Sequence, residues 1–340
     1  MTEEVESITA ALSLSNPSAR IDVLDKVRQS VLSGNVKEFL TAVGDIGDKS
    51  PLVYLMDWLH IWQQEYEAFV QVLDADEESM RHFAPTVAKQ YMNEIEAEAT
   101  RLLKGFRTIT AVLIQQLGIS NVDSVIDRHG WTLLMQAANL GLSEMTQELV
   151  TSKANVNYCG TSEDDLNPLY LAIESEHTDV ALLLLQRGAI ESSTKVVKHS
   201  AIEKDDGSED VCIIEEDCAL FQACRFGLVN VVKEMLALGV DVNFALPSTG
   251  DRALHVAVMS DRKDVVELLV NWGKIDVNAL NKSGQTCLFG CSDVELVKLL
   301  VILSSVDPNI KDVDCETALS IAQALGDESV VEYLATVTHL

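Results

Sequence analysis

Cysteine and histidine are the residues of this 340-residue chain that could hold a metal or serve as nucleophile and base, and there are seven of each. The spacing closest to that of a metal-ligand pair is Cys287-x-x-x-Cys291. No two histidines form a His-x-x-x-His pair, the spacing that places two imidazoles on one face of a helix. We therefore expect no metal site and no cofactor.

The motifs of the common enzyme classes are also missing from the sequence. There is no glycine-rich phosphate loop, no Gly-x-Ser-x-Gly elbow and no protein-kinase signature set. Acid pairs such as Asp164-Asp165 and Asp205-Asp206 lie in polar segments, where they are most simply solvated charges. We predict that the chain is not an enzyme. A remote alternative keeps an unrecognised active site in the N-terminal 125 residues.

One helical motif recurs six times through the C-terminal two-thirds of the chain. Its clearest copies are DRHGWTLLMQAANLG (Asp127–Gly141), DCALFQACRFG (Asp217–Gly227) and DRALHVAVMSD (Asp251–Asp261). The copies align on Leu134, Leu169, Leu220, Leu254, Leu288 and Leu319. The gaps between these leucines are 35, 51, 34, 34 and 31 residues, and four of the five lie within two residues of 33. Such a period predicts a solenoid of stacked helix pairs.

Each copy resembles the ankyrin repeat, in which a turn and a Thr-Pro-Leu-His slot precede Ala-Ala, Gly, a second helix and Gly-Ala-Asp-Val-Asn. The resemblance implies an all-α solenoid of about six helix-turn-helix repeats over residues 126–340. Cys287 then takes the proline slot and Cys291 an inner alanine slot, so both are expected to be small buried residues. His255 fills the histidine slot, which in the family bonds the hairpin loops together.

Several copies depart from this pattern. Gly141, Gly227 and Gly326 supply the positive φ that ends a first helix, but the second copy has Glu176 there. The long gap adds about 18 residues within an acidic insertion at about 191–217, which we expect to form a loop or finger. In the fifth copy Cys291 runs almost directly into Asp293, so its first helix should have lost about five residues.

Residues 1–125 should form a separate helical domain. The segment at 20–48 resembles a degenerate ankyrin-like repeat, with a turn at Gly34. Two long helices follow, one from Ser50-Pro51 to about Leu73 and one from about Pro85 to Gln116, and these could cap the first repeat. Trp58 and Trp62 lie on the apolar face of the first long helix, either as core residues or as a groove for a partner helix.

The charge of the chain limits its partners. Lys and Arg number 25 against 53 Asp and Glu, a net charge of −28, which repels phosphate backbones and anionic lipids. We therefore expect no nucleic acid and no membrane, and favour a protein partner with a basic surface. The alternative is that the acidity simply keeps a long solenoid soluble. The N-terminus lacks a signal peptide and no apolar stretch could span a bilayer, so we expect a soluble protein of the cytoplasm or nucleus.

Candidate partner-binding residues follow from the resemblance, because ankyrin partners usually contact the hairpin tips and the outer turn of the first helices. By register the candidates are Arg128, His129, Trp131, Asn139, Leu140, Glu174, Arg225, Phe226, Asp251 and Met259. We hypothesise that Trp131, Leu140, Arg225 and Phe226 form one contact patch. The alternative is that the N-terminal helices fold over these positions.

These expectations lead to a non-enzymatic interaction module, an intracellular adaptor or a masking inhibitor, that binds a protein on its concave and hairpin face. The alternative is an assembly subunit of a larger complex that docks through the N-terminal helices. The sequence identifies neither the partner nor the oligomeric state.

Overall fold

The computed structural model describes residues 26–43, seven residues between 51 and 62, residues 85–116, and residues 122–338 except 125–126, 128–129, 161–165, 190–195 and 203–210. The chain divides into two compact units. One comprises Met1–Gln136 with Thr151–Ala154, and the other Ala137–Val150 with Asn155–Leu340.

The described residues of the first unit lie mainly in helices. Residues 26–33 are helical, Gly34 turns the chain with φ at +63°, and α1 follows at Val36–Val43. The described residues between 51 and 62 are also helical. The long helix α2 spans Pro85–Gln116, and a 3-10 turn follows at Val122–Ser124. The helix expected at about 85–116 is therefore confirmed, whereas the end of the preceding helix near Leu73 lies outside the described residues.

A close helix crossing fixes the core of this unit. A Cβ built on Gly105 of α2 would lie 1.6 Å from the carbonyl oxygen of Val31, so a larger residue would force the helices apart. Val31, Phe39 and Phe106 are fully buried around this crossing. The helix, turn and helix of residues 26–43 match the shape expected of a worn repeat, but that they are one stays a prediction.

The repeats consist of short helix pairs. The first helices are α3 (Leu133–Asn139), α5 (Pro168–Glu174), α7 (Ala219–Phe226), α9 (Ala253–Met259) and α12 (Ala318–Leu325). The second helices are α4 (Ser143–Thr151), α6 (Thr178–Gln186), α8 (Val229–Ala237), α10 (Lys263–Asn271), α11 (Val294–Ser304) and α13 (Glu328–Val337). The predicted all-α repeat fold is confirmed.

The first helix of the fifth repeat is shortened, as its sequence predicted, and no α-helix remains there. A four-residue 3-10 turn at Cys287–Gly290 stands in its place, and the following helix α11 has 11 residues where α8 and α10 have nine. The turn still buries Leu288 at 3% exposure, so the anchor leucine packs even where the helix is absent. Leu319 of the sixth repeat is only half-buried.

Left-handed residues end the first helices. Gly141, Gly227 and Gly326 have φ of +66°, +74° and +82°, as expected. Glu176 and Asp261 occupy the same slot at φ +58° and +55°. A side chain in this conformation costs about 1–2 kcal/mol relative to glycine, so the backbone geometry of the slot is kept even where the sequence does not favour it.

The acidic insertion contains a β-hairpin, which the all-α prediction did not include. Strand β1 (Val196–Ile202) pairs antiparallel with β2 (Val211–Asp217), and the register places Val196 opposite Asp217 and Ile202 opposite Val211. The residues between the strands lie outside the described part. Helical periodicity could not predict the hairpin, because strands alternate with period two instead.

Asparagines of the Asn-Val-Asn and Asp-Val-Asn turns tie successive repeats together. The side-chain amide of Asn243 donates to the carbonyl of Lys274 at 2.8 Å, and its oxygen accepts from the amide N–H of Asp276 at 2.8 Å. Asn278 bonds in the same way to Ser305 and Asp307 of the next turn. These side-chain bonds therefore link each turn to the next, and we call this series of bonds the turn ladder.

No helix in the described part of the chain has both the length and the apolar composition that a bilayer crossing requires.

Candidate partner-binding surface

The hairpin tips are held rigid by side chains that accept backbone N–H bonds. Oδ1 of Asn281 accepts from the amides of Ser283 and Gln285, both at 3.0 Å. In the next tip Oδ1 of Asp312 accepts from the amides of Asp314 and Glu316, also at 3.0 Å. A tip built this way presents its outer residues in one conformation, and so loses little entropy on binding.

Neighbouring tips are also bonded to one another. The side-chain amide of Asn281 donates to Oδ1 of Asp251 at 3.0 Å, and that of Gln285 donates to Oδ2 of Asp312 at 3.0 Å. The bond from Gln285, helped by the amide N–H groups of Glu316 and Asp314, lowers the pKa of the Asp312 carboxyl. Asp251, a predicted contact residue, is half-buried, and its carboxylate already accepts a hydrogen bond from the next repeat.

His255 bonds the hairpin loops, as the resemblance implied. It is 4% exposed, its Nδ1 accepts from the amide of Arg252 at 3.3 Å, and its Nε2 donates to the carbonyl of Gln285 at 3.1 Å. These bonds define the neutral tautomer with the proton on Nε2. Burial lowers the pKa of the imidazole, against the opposing effect of the Gln285 carbonyl.

Tyr170 occupies the same slot in the second repeat. Its buried hydroxyl accepts from the side-chain amide of Gln222 in the third repeat at 2.8 Å. Burial is the main cause of a raised pKa for this phenol. The second and third repeats are thus joined by a buried neutral bond, although the insertion separates them in the sequence.

Among the predicted contact residues, those near the ends of the first helices have mixed roles. Oδ1 of Asn139 accepts from the hydroxyl of Ser175 at 3.0 Å, so this side chain is used between repeats. Glu174 is half-buried. The Arg225 side chain is 44% exposed and pairs with Asp217 at 2.9 Å.

The apolar candidates differ in exposure. Leu140 and Phe226 are half-buried, whereas Met259 is 65% exposed. A Cβ built on Gly290 would lie 2.7 Å from Cγ of Met259, so the methionine lies over the short turn of the fifth repeat. Leu325 is 71% exposed in the slot that Leu140 and Phe226 occupy in their own repeats. Sequence reasoning missed Leu325, although the register could have found it.

The first hairpin tip is only partly described. Trp131 is half-buried, and its backbone N–H donates to Oδ1 of Asp127 at 2.8 Å. Arg128 and His129 lie outside the described residues. That Trp131 joins Leu140, Arg225 and Phe226 in one patch stays a prediction.

The exposure of the two tryptophans in the first unit supports a core role for Trp58 more strongly than for Trp62. Trp58 is buried at 9% exposure and Trp62 is half-buried.

A cavity of about 400 Å³, which the sequence did not predict, lies at the base of the insertion. The cavity lies where an asparagine of the second repeat would be expected to bond to the turn of the third repeat. The second repeat has Ser192 at this position, which corresponds to Asn157 in the first repeat. The cavity walls are mainly apolar and include Leu185, Ala189, Cys218, Leu220, Leu238 and Phe244.

Cys287 and Cys291 behave as small buried residues. Cys287 and Cys291 are 2% and 7% exposed, and burial raises the pKa of each thiol to about 12. Neither thiolate would form readily at neutral pH, which argues against nucleophilic or metal-binding roles. The described residues contain no group of three or more Cys, His, Asp or Glu that could hold a metal ion.

Comparison with known proteins agrees with this architecture. A family model described as ankyrin repeats in three copies matches residues 104–196 and 189–281, more than half of the chain. The fission yeast Schizosaccharomyces pombe has an ankyrin repeat-containing protein, P1E11.10, that is 30% identical over 119 residues, 35% of this chain and 56% of that protein. Human ankyrin repeat and SOCS box protein 6 is 30% identical over 166 residues, 47% of this chain and 34% of that protein.

Solved structures show a similar fold. The crystal structure of the human ASB11 ankyrin repeat domain matches with a TM-score of 0.53 and 22% identity, over 68% of this chain and 93% of that one. The chain spans only about a third to a little over half the length of the two curated relatives described above.

Proposed function

Because this chain belongs to the ankyrin repeat family, whose repeats generally mediate protein–protein interaction, we propose that it is a non-enzymatic module that binds a protein partner. The partner would be held on the concave and hairpin face, and the module would act as an intracellular adaptor or as an inhibitor that masks its partner.

The exposure of Met259 is the observation that supports this surface most directly. The six other residues of α9 are buried, and Met259 alone in that helix is 65% exposed. A second apolar side chain, Leu325, is 71% exposed at the end of α12. Apolar side chains held open at the ends of rigid helices are typical of binding anchors, because little entropy is lost when a partner covers them.

The charge of the chain supports a basic partner. With a net charge of −28, long-range attraction would raise the association rate of a cationic protein and oppose an anionic one. Arg225 carries a positive charge within the proposed patch, but Asp217 balances this charge, so that it would not oppose a basic partner.

A double variant tests the surface. Phe226→Ser with Met259→Ser should release at least one partner captured by the unaltered chain, because both apolar contacts are removed. The matched control is Ile302→Ser, which removes an apolar side chain that is 66% exposed on the second helix α11. Capture at low and high salt shows how far each partner depends on charge. If the double variant retains every partner, the proposed face is wrong.

A further inference from the structure

The hairpin of the insertion is a two-stranded sheet with two edges. Within the described part of the chain, β1 and β2 pair only with one another. Each therefore leaves one row of backbone N–H and carbonyl groups outside the pair. Two-stranded hairpins are marginally stable by themselves, and open edges act as templates for a further strand.

The C-terminal end of β2 is fixed to the third repeat. Asp217, the last residue of the strand, is 5% exposed; its Oδ2 accepts from Nη1 of Arg225 at 2.9 Å, and its Oδ1 accepts from the amide of Cys218 at 2.8 Å. The strand is thus attached to α7 through an ion pair whose carboxylate is buried. An attached strand is presented at a defined place, which a free loop is not.

The sequence of β2 has two parts. Val211-Cys212-Ile213-Ile214 is apolar and β-branched apart from the cysteine, and Glu215-Glu216-Asp217 follows directly. Natural edge strands are usually protected by lysine, proline or a bulge, and the apolar part has neither lysine nor proline. The register places Lys198 opposite Glu215, and the carboxylate of Asp217 is bonded to Arg225.

We propose that β2 is a docking strand, whose free edge over Val211–Glu216 adds to the edge strand of a partner protein that carries lysine or arginine beside that edge. Backbone bonds to the added strand would supply affinity, the apolar residues Val211–Ile214 would extend the two faces of the partner's sheet in alternation, and the glutamates that follow them would select the basic flank. The proposal deepens the proposed function, since it concerns a second protein-binding surface of the same module. It does not depend on Phe226 or Met259.

Charge decides between a foreign partner and a second copy of this chain. Two copies would each bring a net charge of −28 and would place acidic ends of β2 close together. Like charges across a sheet edge destabilise the pairing. A basic partner gains from the same field that a second copy must overcome.

The test is titration of the full chain with a small ubiquitin-like modifier, chosen as a probe for a free edge strand beside basic side chains, and with ubiquitin as counter-probe. We expect saturable binding of the first and at least tenfold weaker binding of the second. Val211→Ser with Ile213→Ser and Ile214→Ser should weaken binding at least tenfold, and Glu215→Gln with Glu216→Gln several-fold. The control Glu267→Gln with Glu332→Gln makes the same charge change on exposed helical sites.

Folding and the first surface are checked in parallel. All hairpin variants should keep the unfolding midpoint of the repeats, because the altered residues lie outside the helix pairs. The Phe226→Ser and Met259→Ser chain should bind the probe unchanged, so failure of this proposal is distinguishable from failure of the concave-face proposal. The proposal is overturned if no saturable binding occurs, if the apolar triple variant binds as well as the original, or if the triple variant instead abolishes self-association in sedimentation.

Discussion

Nε2 of His177 donates a hydrogen bond to the carbonyl oxygen of Asn139 at 3.0 Å, and so joins the second repeat to the end of α3. Nε of Arg262 donates to the carbonyl of Arg225 at 2.7 Å in the same register two repeats later. Carbonyl groups at the end of a helix have no partner within it, and these side chains satisfy one at each place. The imidazole of His177 and the guanidinium of Arg262 thus each link one repeat to the preceding one.

Gly141 should tolerate a side chain less well than Gly326. A Cβ on Gly141 would lie 2.6 Å from Nδ1 of His177, whereas one on Gly326 would meet nothing within 4 Å. Both have positive φ, so Gly326→Ala should lower the free energy of unfolding by about 1–2 kcal/mol. Gly141→Ala should cost roughly 1 kcal/mol more, because the His177 ring must move. Urea unfolding measures both, and equal costs would contradict this account.

Stability should depend on pH through two histidines, the half-buried His177 and the buried His255. Burial lowers the pKa of His177 and of His255, while the carbonyls of Asn139 and Gln285 oppose it. The unfolded chain therefore takes up these protons first as the pH falls. The free energy of unfolding should decrease from about pH 6.5 down to the lowered folded values, by at most about 1.4 kcal/mol per pH unit for each imidazole. Above that window both states are neutral and this contribution is constant.

The measurement for this pH dependence is urea unfolding at several pH values between 5.5 and 7.5. His177→Gln with His255→Gln should flatten the slope in that range. A double variant with the original slope would show that other groups cause it.

The turn ladder can be tested by a matched pair of asparagines. Asn243 makes two bonds to the next turn, whereas Asn309 in the last turn bonds to Asp307 of its own turn. Asn243→Ala should lower the free energy of unfolding by about 1–2 kcal/mol, since two partners in the fourth repeat lose their bonds. Asn309→Ala should cost less than half of that. The prediction fails if the two substitutions cost the same.

Thiol reactivity should separate the buried Cys287 and Cys291 from the exposed Cys315. Cys287 and Cys291 are buried with raised pKa values, and Cys315 is exposed. Brief treatment of the folded chain with iodoacetamide should alkylate Cys315 and leave Cys287 and Cys291 unmodified, as measured by peptide mass spectrometry. Full alkylation in urea is the control. Early modification of Cys287 would mean that the fifth repeat opens readily.

The repeats could be predicted from the sequence because their period is long and each slot has a distinct steric need. The positive φ at Gly141 and Gly227, the missing helix before Cys291 and the bonded His255 all followed from residue type and register. The hairpin could not be predicted in this way. Its register depends on pairing between residues up to 21 positions apart, Val196 with Asp217, which a local pattern does not contain.

The repeat slots of the candidate contact residues could be predicted from the sequence, but the exposure of their side chains could not. Asn139 and Asp251 occupy the expected slots, yet their side chains are bonded to Ser175 and Asn281 of the following repeats. Slot and residue type could not distinguish them from Met259, whose side chain remains open. Contacts between repeats decide which side chains a partner can reach, and these require the three-dimensional register.

The ladder of turn asparagines has one more consequence, which concerns ionic strength. Its amide side chains, like the His255 bond, carry no charge at neutral pH, so added salt does not screen these bonds between neighbouring repeats. Attraction between the acidic surface and a cationic partner weakens in the same salt. Salt is therefore a means of releasing a bound partner while the repeats stay stacked.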